Sequence, residues 1–323
     1  MPYEPVIDRT KLFEGPAHIL WDKPANQALW KYCWSNGNVT VHLLRTPKEV
    51  PVSGMGSIDD PAADEIVQVE FTPAGNTGGG LFDWLFGGIL TRLPGQSIFD
   101  TADTPLWIHA LDGTLIQIAC AKATAFPAIR FGTGISRFDG ACTITGIIKK
   151  NTPRSAEGAL FSVLPPVPFA HAPDRDDWTH LPCLATWALP TNPRTIMTNQ
   201  DGWTLNLLHT VTPRVNPDTG TFDFRLDTVG VQATCTPINI SDMDLLSSAV
   251  IGADRRLGAS SPNADLALAE DHPGITAILR NARLTTKPIV YGEAVPRSGA
   301  LTWQAFYGTS GLASVAPTAN PQP

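Results

Sequence analysis

The chain repeats itself. When residues 39–73 are laid over residues 203–237 without a gap, ten of the 35 positions are identical, where average residue usage gives roughly two by chance. Thr40 faces Thr204, Leu43 faces Leu207, Leu44 faces Leu208, and VQVEFTP (Val67 to Pro73) faces VQATCTP (Val231 to Pro237). The likeness runs on in both directions with small shifts. GPAHILW (Gly15 to Trp21) matches LPCLATW (Leu181 to Trp187), Gly113 to Pro127 matches Gly274 to Pro288, and SRFDGACTIT (Ser136 to Thr145) matches PRSGALTWQ (Pro296 to Gln304). Halves that correspond along their length are expected to build one fold twice, and 323 residues suffice for two cores of ordinary size. The expected division is 1–164 for the first copy and 165–323 for the connector and the second copy. Between them, KKNTPRSAEGALFSVLPPVPFAHAPDRDD carries Pro165, Pro166, Pro168 and Pro173 and reads as a stiff connector outside both cores.

With 29 Pro and 27 Gly, turns are frequent and long helices few, so the expected class is mainly β. Val39 to Thr46, Glu65 to Thr72, Thr114 to Thr124 and Ala141 to Ile148 are rich in β-branched residues and bounded by Gly, Pro or Asp, as strands are. One helix is predicted in GGLFDWLFGGILTR, where Phe82, Leu85, Phe86 and Ile89 fall at helical spacing, and its counterpart is SDMDLLSSAVI. Each copy is therefore expected to be a β-sandwich or half-barrel with a short covering helix. Alternation in the second of these strands puts Val67, Val69 and Phe71 on one face and Gln68, Glu70 and Thr72 on the other. Gln232, Thr234 and Thr236 repeat that polar face. The sheet thus has one greasy side and one wet side with few basic groups expected on it.

Chemistry-bearing patterns are scarce. The net charge of −7 removes the basic surface by which nucleic-acid binders displace counterions. Five cysteines form no CxxC pair and read as buried apolar side chains. Seven histidines are scattered without metal spacing, and no GxSxG or P-loop occurs. DDPAADE (Asp59 to Glu65) lacks the ligand alternation of a calcium loop, and GNTGGG (Gly75 to Gly80) lacks the Lys-Ser/Thr of a phosphate cradle. Trp21, Trp34, Trp84, Trp187, Trp203 and Trp303 fit core packing better than a sugar platform. No catalytic residue, cofactor or metal site is expected. No run is long and apolar enough to span a membrane, and MPYEPVIDRTKLF lacks the form of a secretory signal, so a cytoplasmic location is expected.

DRTKLFEGPAHI at the start, the G-x-I-D-D stretch (Gly56 to Asp60) leading into VQVEFTPAG, then GQSIF (Gly95 to Phe99), PLWIHALDGT and RFDGACTITGI together resemble the major tail tube protein of long-tailed phages and phage-like particles. The likeness covers nearly the whole chain and lies in structural positions, not in chemistry. It implies a virion structural protein assembled in the host cytoplasm, in which each fold gives four strands to a ring of six and the rings stack into a tube. A chain of two such folds would form a trimer that imitates a hexamer. Implied partners are other copies of the chain, the tape measure protein, the tail terminator and the distal tail or baseplate proteins, with DNA passing through unbound. Six four-stranded sheets make a barrel of roughly 24 strands, wider than barrels that already hold a water channel. Gln68, Glu70, Thr72, Gln232, Thr234 and Thr236 would then line the lumen. The long segments between the first and second of the predicted strands, PKEVPVSGMGSIDDPAAD and its counterpart from Val211 to Val229, are expected to be loops reaching the next ring. Gly54, Gly56 and Gly220 would permit their turns, and Asp59, Asp60 and Asp223 would supply contacts. A baseplate hub or distal tail protein with two tube-like folds, and a β-sandwich carbohydrate-binding protein or glycosidase, are the competing readings.

Overall fold

The structure is a computed structural model. It describes residues 17–27, 30–47, 50–53, 56–59, 62–74, 84, 88–99, 104–132, 137–148, 156, 158–168, 182–190, 193–216, 220–238, 262–271, 274–286 and 299–317. The chain is mainly β. Along the first half run β1 (Ala17–Asp22), β2 (Lys31–Ser35), β3 (Thr40–Pro47), β4 (Val50–Val52), β5 (Gly56–Asp59), β6 (Ala62–Phe71) and β7 (Pro73–Ala74). After the short helix α1 (Gly88–Leu90) come β8 (Leu106–Ala110), β9 (Leu115–Ile118), β10 (Cys120–Ala125), β11 (Ala128–Phe131), β12 (Phe138–Asp139), β13 (Cys142–Ile147) and β14 (Phe161–Leu164). The second half holds β15 (Cys183–Trp187), β16 (Arg194–Ile196), β17 (Thr198–Asn216), β18 (Gly220–Pro237), β19 (Ala264–Glu270), β20 (Ile275–Thr286), β21 (Leu301–Gln304) and β22 (Ala313–Pro317).

One topology occurs twice. In the first half a six-stranded sheet has the order β14-β9-β8-β1-β2-β7 and a four-stranded sheet the order β10-β13-β6-β3. In the second half β22-β20-β19-β15-β16 and β20-β21-β18-β17 reproduce these orders within one ten-stranded sheet. Even the register is shared. Thr40 pairs with Glu70 and Leu43 with Val67, while Thr204 pairs with Thr234 and Leu207 with Val231, a common offset of 164 residues. Since a one-residue slip would turn every side chain to the wrong face, the shared register preserves the same core positions in both halves.

The first half divides its long strand at Ala119, between β9 and β10, whereas β20 passes unbroken from one sheet to the other. It turns that corner at Asn281, which adopts φ 47°. The left-handed conformation is tolerated by asparagine, and here it is held from both sides: the Asn281 N–H donates to Asp265 Oδ1 at 3.0 Å and Nδ2 to the Tyr307 carbonyl at 3.2 Å.

Alternation places the core between the two sheets of each half. Val67, Val69 and Phe71 are buried against Ile19, Cys33, Leu106 and Ile118. In the second half Trp187 and Trp203 both pack on Trp303, at centroid distances of 6.1 and 5.2 Å, and all three are fully buried. Four of the five cysteines are buried and none is in a disulfide.

Three expectations are corrected. The connector begins later than Lys149: Phe161 to Leu164 pair with Ile118 to Leu115, and Ala159 is buried, so this stretch completes the first half's sheet. The segment from Val211 to Val229 is no loop but the far end of a long β17–β18 hairpin, paired from Thr210↔Thr228 out to Asn216↔Gly220. Its first-half counterpart likewise contains the β4–β5 hairpin. Cross-strand hydrogen bonding overrides the weak strand propensity of Pro213, Asp223 and Gly220. Of the helix expected over residues 79–92, four residues are helical among those described, Gly88–Leu90 as α-helix and Trp84 as a π turn. Its counterpart SDMDLLSSAVI and the GNTGGG stretch lie outside the described residues.

Candidate functional site

Two features are unspent on the core: a polar face on the four-stranded sheet and its counterpart, and the β3 edge, which has no added strand among the described residues. Cross-strand pairing defines the polar face in rows. In the first half one row reads Lys122, Thr145, Gln68, His42, and the next carries Thr143, Glu70, Thr40. In the second half the rows read Arg283, Gln304, Gln232, Asn206 and Thr302, Thr234, Thr204. Gln68, Glu70, Gln232 and Thr234 therefore stand on one face with their equivalents in register, Thr72 and Thr236 continue their alternation, and all six are at least partly exposed. Threonines bridge neighbouring strands on this face, Thr124 with Thr145 at 2.8 Å and Thr234 with Thr302 at 3.4 Å. Such hydroxyl ladders satisfy each other without charge.

The expectation of few basic groups needs amending. Lys122 and Arg283 occupy equivalent positions, each the first member of its row, and Arg283 lies over the Phe306 ring at 4.7 Å. Arg130 joins them, opposite Thr204 and paired with Asp139. Glu70 lies beside His42, 3.9 Å away. The face is thus mixed, with a cation at a repeated level. Strand alternation within β6 alone gave no view of β10 and β20, which carry these cations.

The β3 edge is best understood from its closed equivalent. Leaving β10, the chain forms β11, an arm that adds to the edge of β17: Ile129 faces Leu205, Arg130 faces Thr204 and Phe131 faces Trp203. Gly202 makes this approach possible, because a Cβ there would stand 2.0 Å from the Phe131 carbonyl oxygen. Ile129 and Phe131 are buried, and Ile129 lines one small apolar hollow together with Leu90, Leu205 and Leu207. His209 completes the seam, its Nε2 lying 2.6 Å from the Thr124 carbonyl with Phe126 edge-on to the ring. Burial holds the His209 pKa below its ordinary value.

The long hairpin braces the same joint. Gly95 N–H donates to the Leu226 carbonyl and Ile98 N–H to that of Phe224, while Phe224 and Leu226 pack on Ile89 and Ile98. Asp223, expected to offer a polar contact to another ring, is instead buried and engaged within the chain. It accepts from Ser97 Oγ and pairs with Arg214 at 3.1 Å. Gly220, at φ 71°, opens β18 beside Thr221, whose N–H and hydroxyl both donate to Asp64. Gly56 and Asp59 lie in the backbone of β5, and Gly54 and Asp60 lie outside the described residues.

β3, the equivalent of β17, has no strand added to its outer edge among the described residues. Its residues from His42 to Thr46 are exposed. Among the described residues no group of His, Cys, Asp or Glu could hold a metal, and no helix is long and apolar enough to cross a membrane. No protein-family model and no curated protein matches the chain.

Proposed function

We propose that the chain is a structural protein that assembles head to tail into rings, and through them into a hollow tube of the phage-tail kind. The observation that carries this reading is the β11–β17 joint together with its equivalent at β3, which has no added strand among the described residues. Inside the chain, the first half's sheet is extended into the second half's by an added strand and an apolar seal. At β3, among the described residues, no strand is added along the equivalent edge, where Val41 is partly buried and Leu43 is exposed, whereas β11 lies along that of Leu205 and Leu207. Sheet edges of this kind invite strand addition. A second copy that repeats the internal joint there would extend the sheet indefinitely or close it into a ring.

The polar face then becomes the inner wall. Six sheets of four strands, from three chains, give a barrel of roughly 24 strands with an aqueous bore. Its wall is mixed, threonine and glutamine with Lys122 and Arg283 at one level and Glu70 beside them, so a passing polyanion meets no continuous basic surface. Stacking of rings, the tape measure protein, and the terminator and distal tail proteins at the tube's ends belong to the same reading, as do a place in the virion tail and assembly in the host cytoplasm.

Negative-stain electron microscopy of the purified full chain tests the reading. Regular hollow rods or closed rings are expected. Scattered monomers at high protein concentration, with β3 amides freely exchanging, would overturn it.

A further inference from the structure

The joint inside the chain holds two features that the β3 edge lacks: Gly202, whose counterpart there is Asn38, and a buried ion pair. Arg137, just beyond the arm, donates from Nη1 to Glu270 Oε1 at 2.8 Å and from Nη2 to Glu270 Oε2 at 2.7 Å. The two side chains are 1% and 0% exposed. Nη1 also donates to the Arg130 carbonyl, and the guanidinium lies 5.9 Å from the Phe131 ring centre. On the other side Glu270 accepts from the backbone N–H groups of Gly132 and Ile275 at 3.3 and 3.2 Å. A residue of the first half is thus locked to the end of β19 in the second by a bidentate pair, fully out of water.

The equivalent of Glu270 in the first half is Ala110. Glu270 faces Cys183 across β15 and β19 as Ala110 faces Ala17 across β1 and β8. An arm carrying Arg137 and laid on β3 would therefore bury its guanidinium next to a methyl group. A buried charge without its partner is strongly disfavoured, whereas the matched pair is tolerated.

We infer that the Arg137–Glu270 pair is an assembly key, which confines the β11 arm to the second half and reserves the β3 edge for the other end of a second copy of this chain. The pair adds order more than strength, since buried ion pairs contribute little net stability compared with apolar residues of the same volume. Without the key, two first halves could join through their own arm and edge, and the alternation of halves around a ring would be lost. The inference rests on the proposed reading only in taking β3 as an edge that accepts an arm.

A cross-link tests it. Arg130 faces Thr204, and Thr40 is the counterpart of Thr204; with Asn38→Gly supplying in every variant the glycine that Gly202 gives the internal joint, the full chain carrying Arg130→Cys with Thr40→Cys forms an interchain disulfide when a first-half arm lies on another chain's β3. This is scored as the two-chain band under mild oxidation, with Arg130→Cys alone as background. Adding Arg137→Met with Glu270→Leu, which removes both charges together, should raise that band tenfold or more. Ala110→Glu in the key-intact chain should raise it as well, by giving Arg137 a partner beside β3, and this arm stands even if the double replacement does not fold. Equal yields with and without the key, and no increase from Ala110→Glu, would overturn the inference. Rods in the unmodified chain are scored separately, so their absence would count against the tube alone.

Discussion

Leu43 and Leu207 occupy the same position in the two halves, each opposite a valine, yet Leu207 packs against the core while Leu43 is 58% exposed. Nothing in their own strands accounts for the difference. Leu207 lines one small apolar hollow together with Leu90 and Ile129 of the other half. Leu43→Asp should change stability by no more than about 0.5 kcal/mol, as surface substitutions do, while Leu207→Asp should cost about 2 kcal/mol or more. Thermal unfolding measures both quantities, and sedimentation reads assembly. Leu43→Asp is expected to abolish assembly without unfolding the chain, and rods from that variant would show that the seam lies elsewhere.

The smallest closed species should have three times the 34.6 kDa mass of the chain, with three-fold symmetry overlaid by a weaker six-fold repeat. Native mass spectrometry reads the number directly. Rings of six chains would count against the equivalence of the two halves.

The cations Lys122 and Arg283 stand at one level of the polar face. Glu70→Lys with Gln232→Lys, next to them, should leave folding intact because these side chains face water, but should slow DNA passage in reconstituted particles. The delay should shrink as salt is raised, since screening shortens the reach of the added charges. Ejection at the normal rate in low salt would mean that this face is not the bore.

Titration should weaken the fold from both sides. Burial, with Glu270 nearby, pushes the Cys183 thiol up to about 12 from an ordinary 9.0, and burial also raises Cys33, Cys142 and Cys235. Because the unfolded chain releases these protons first, stability is full below pH 9 and falls as pH rises beyond it. His209 has the opposite sign. Its folded value lies below the ordinary 6.5, so the unfolded chain takes up the proton first and stability is lost as pH falls through that region. Urea melts across pH 5 to 10 under reducing conditions should show both limbs, and His209→Gln should flatten the acid one.

Much of each half could be read from local pattern. The alternation that buries Val67, Val69 and Phe71 repeats every two residues and needs no knowledge of partners, and the gapless duplication carried the β3–β6 register into β17–β18. What escaped was long-range. Arg137 and Glu270 are 133 positions apart, and β11 is four residues long with its partner strand in the other half. The stretch around Pro213, Gly220 and Asp223 has the composition of a loop, and only the facing strand makes it a hairpin. The cations of the polar face were missed because assigning Lys122 and Arg283 to it requires the register of neighbouring strands.

The arm and its acceptor are also separated in time. Seventy-one residues lie between Phe131 and Trp203, which a ribosome adds in about 4 to 14 seconds. For that interval the nascent chain carries Ile129 and Phe131 on a strand with no sheet to join. On a crowded polysome the β17 edge of a chain further along is an acceptor of the same shape, so the interval is an opportunity for exchange between neighbours. Slowing synthesis between these two points should therefore raise the fraction of entangled dimers, and permuting the gene to bring the arm after its acceptor should lower it.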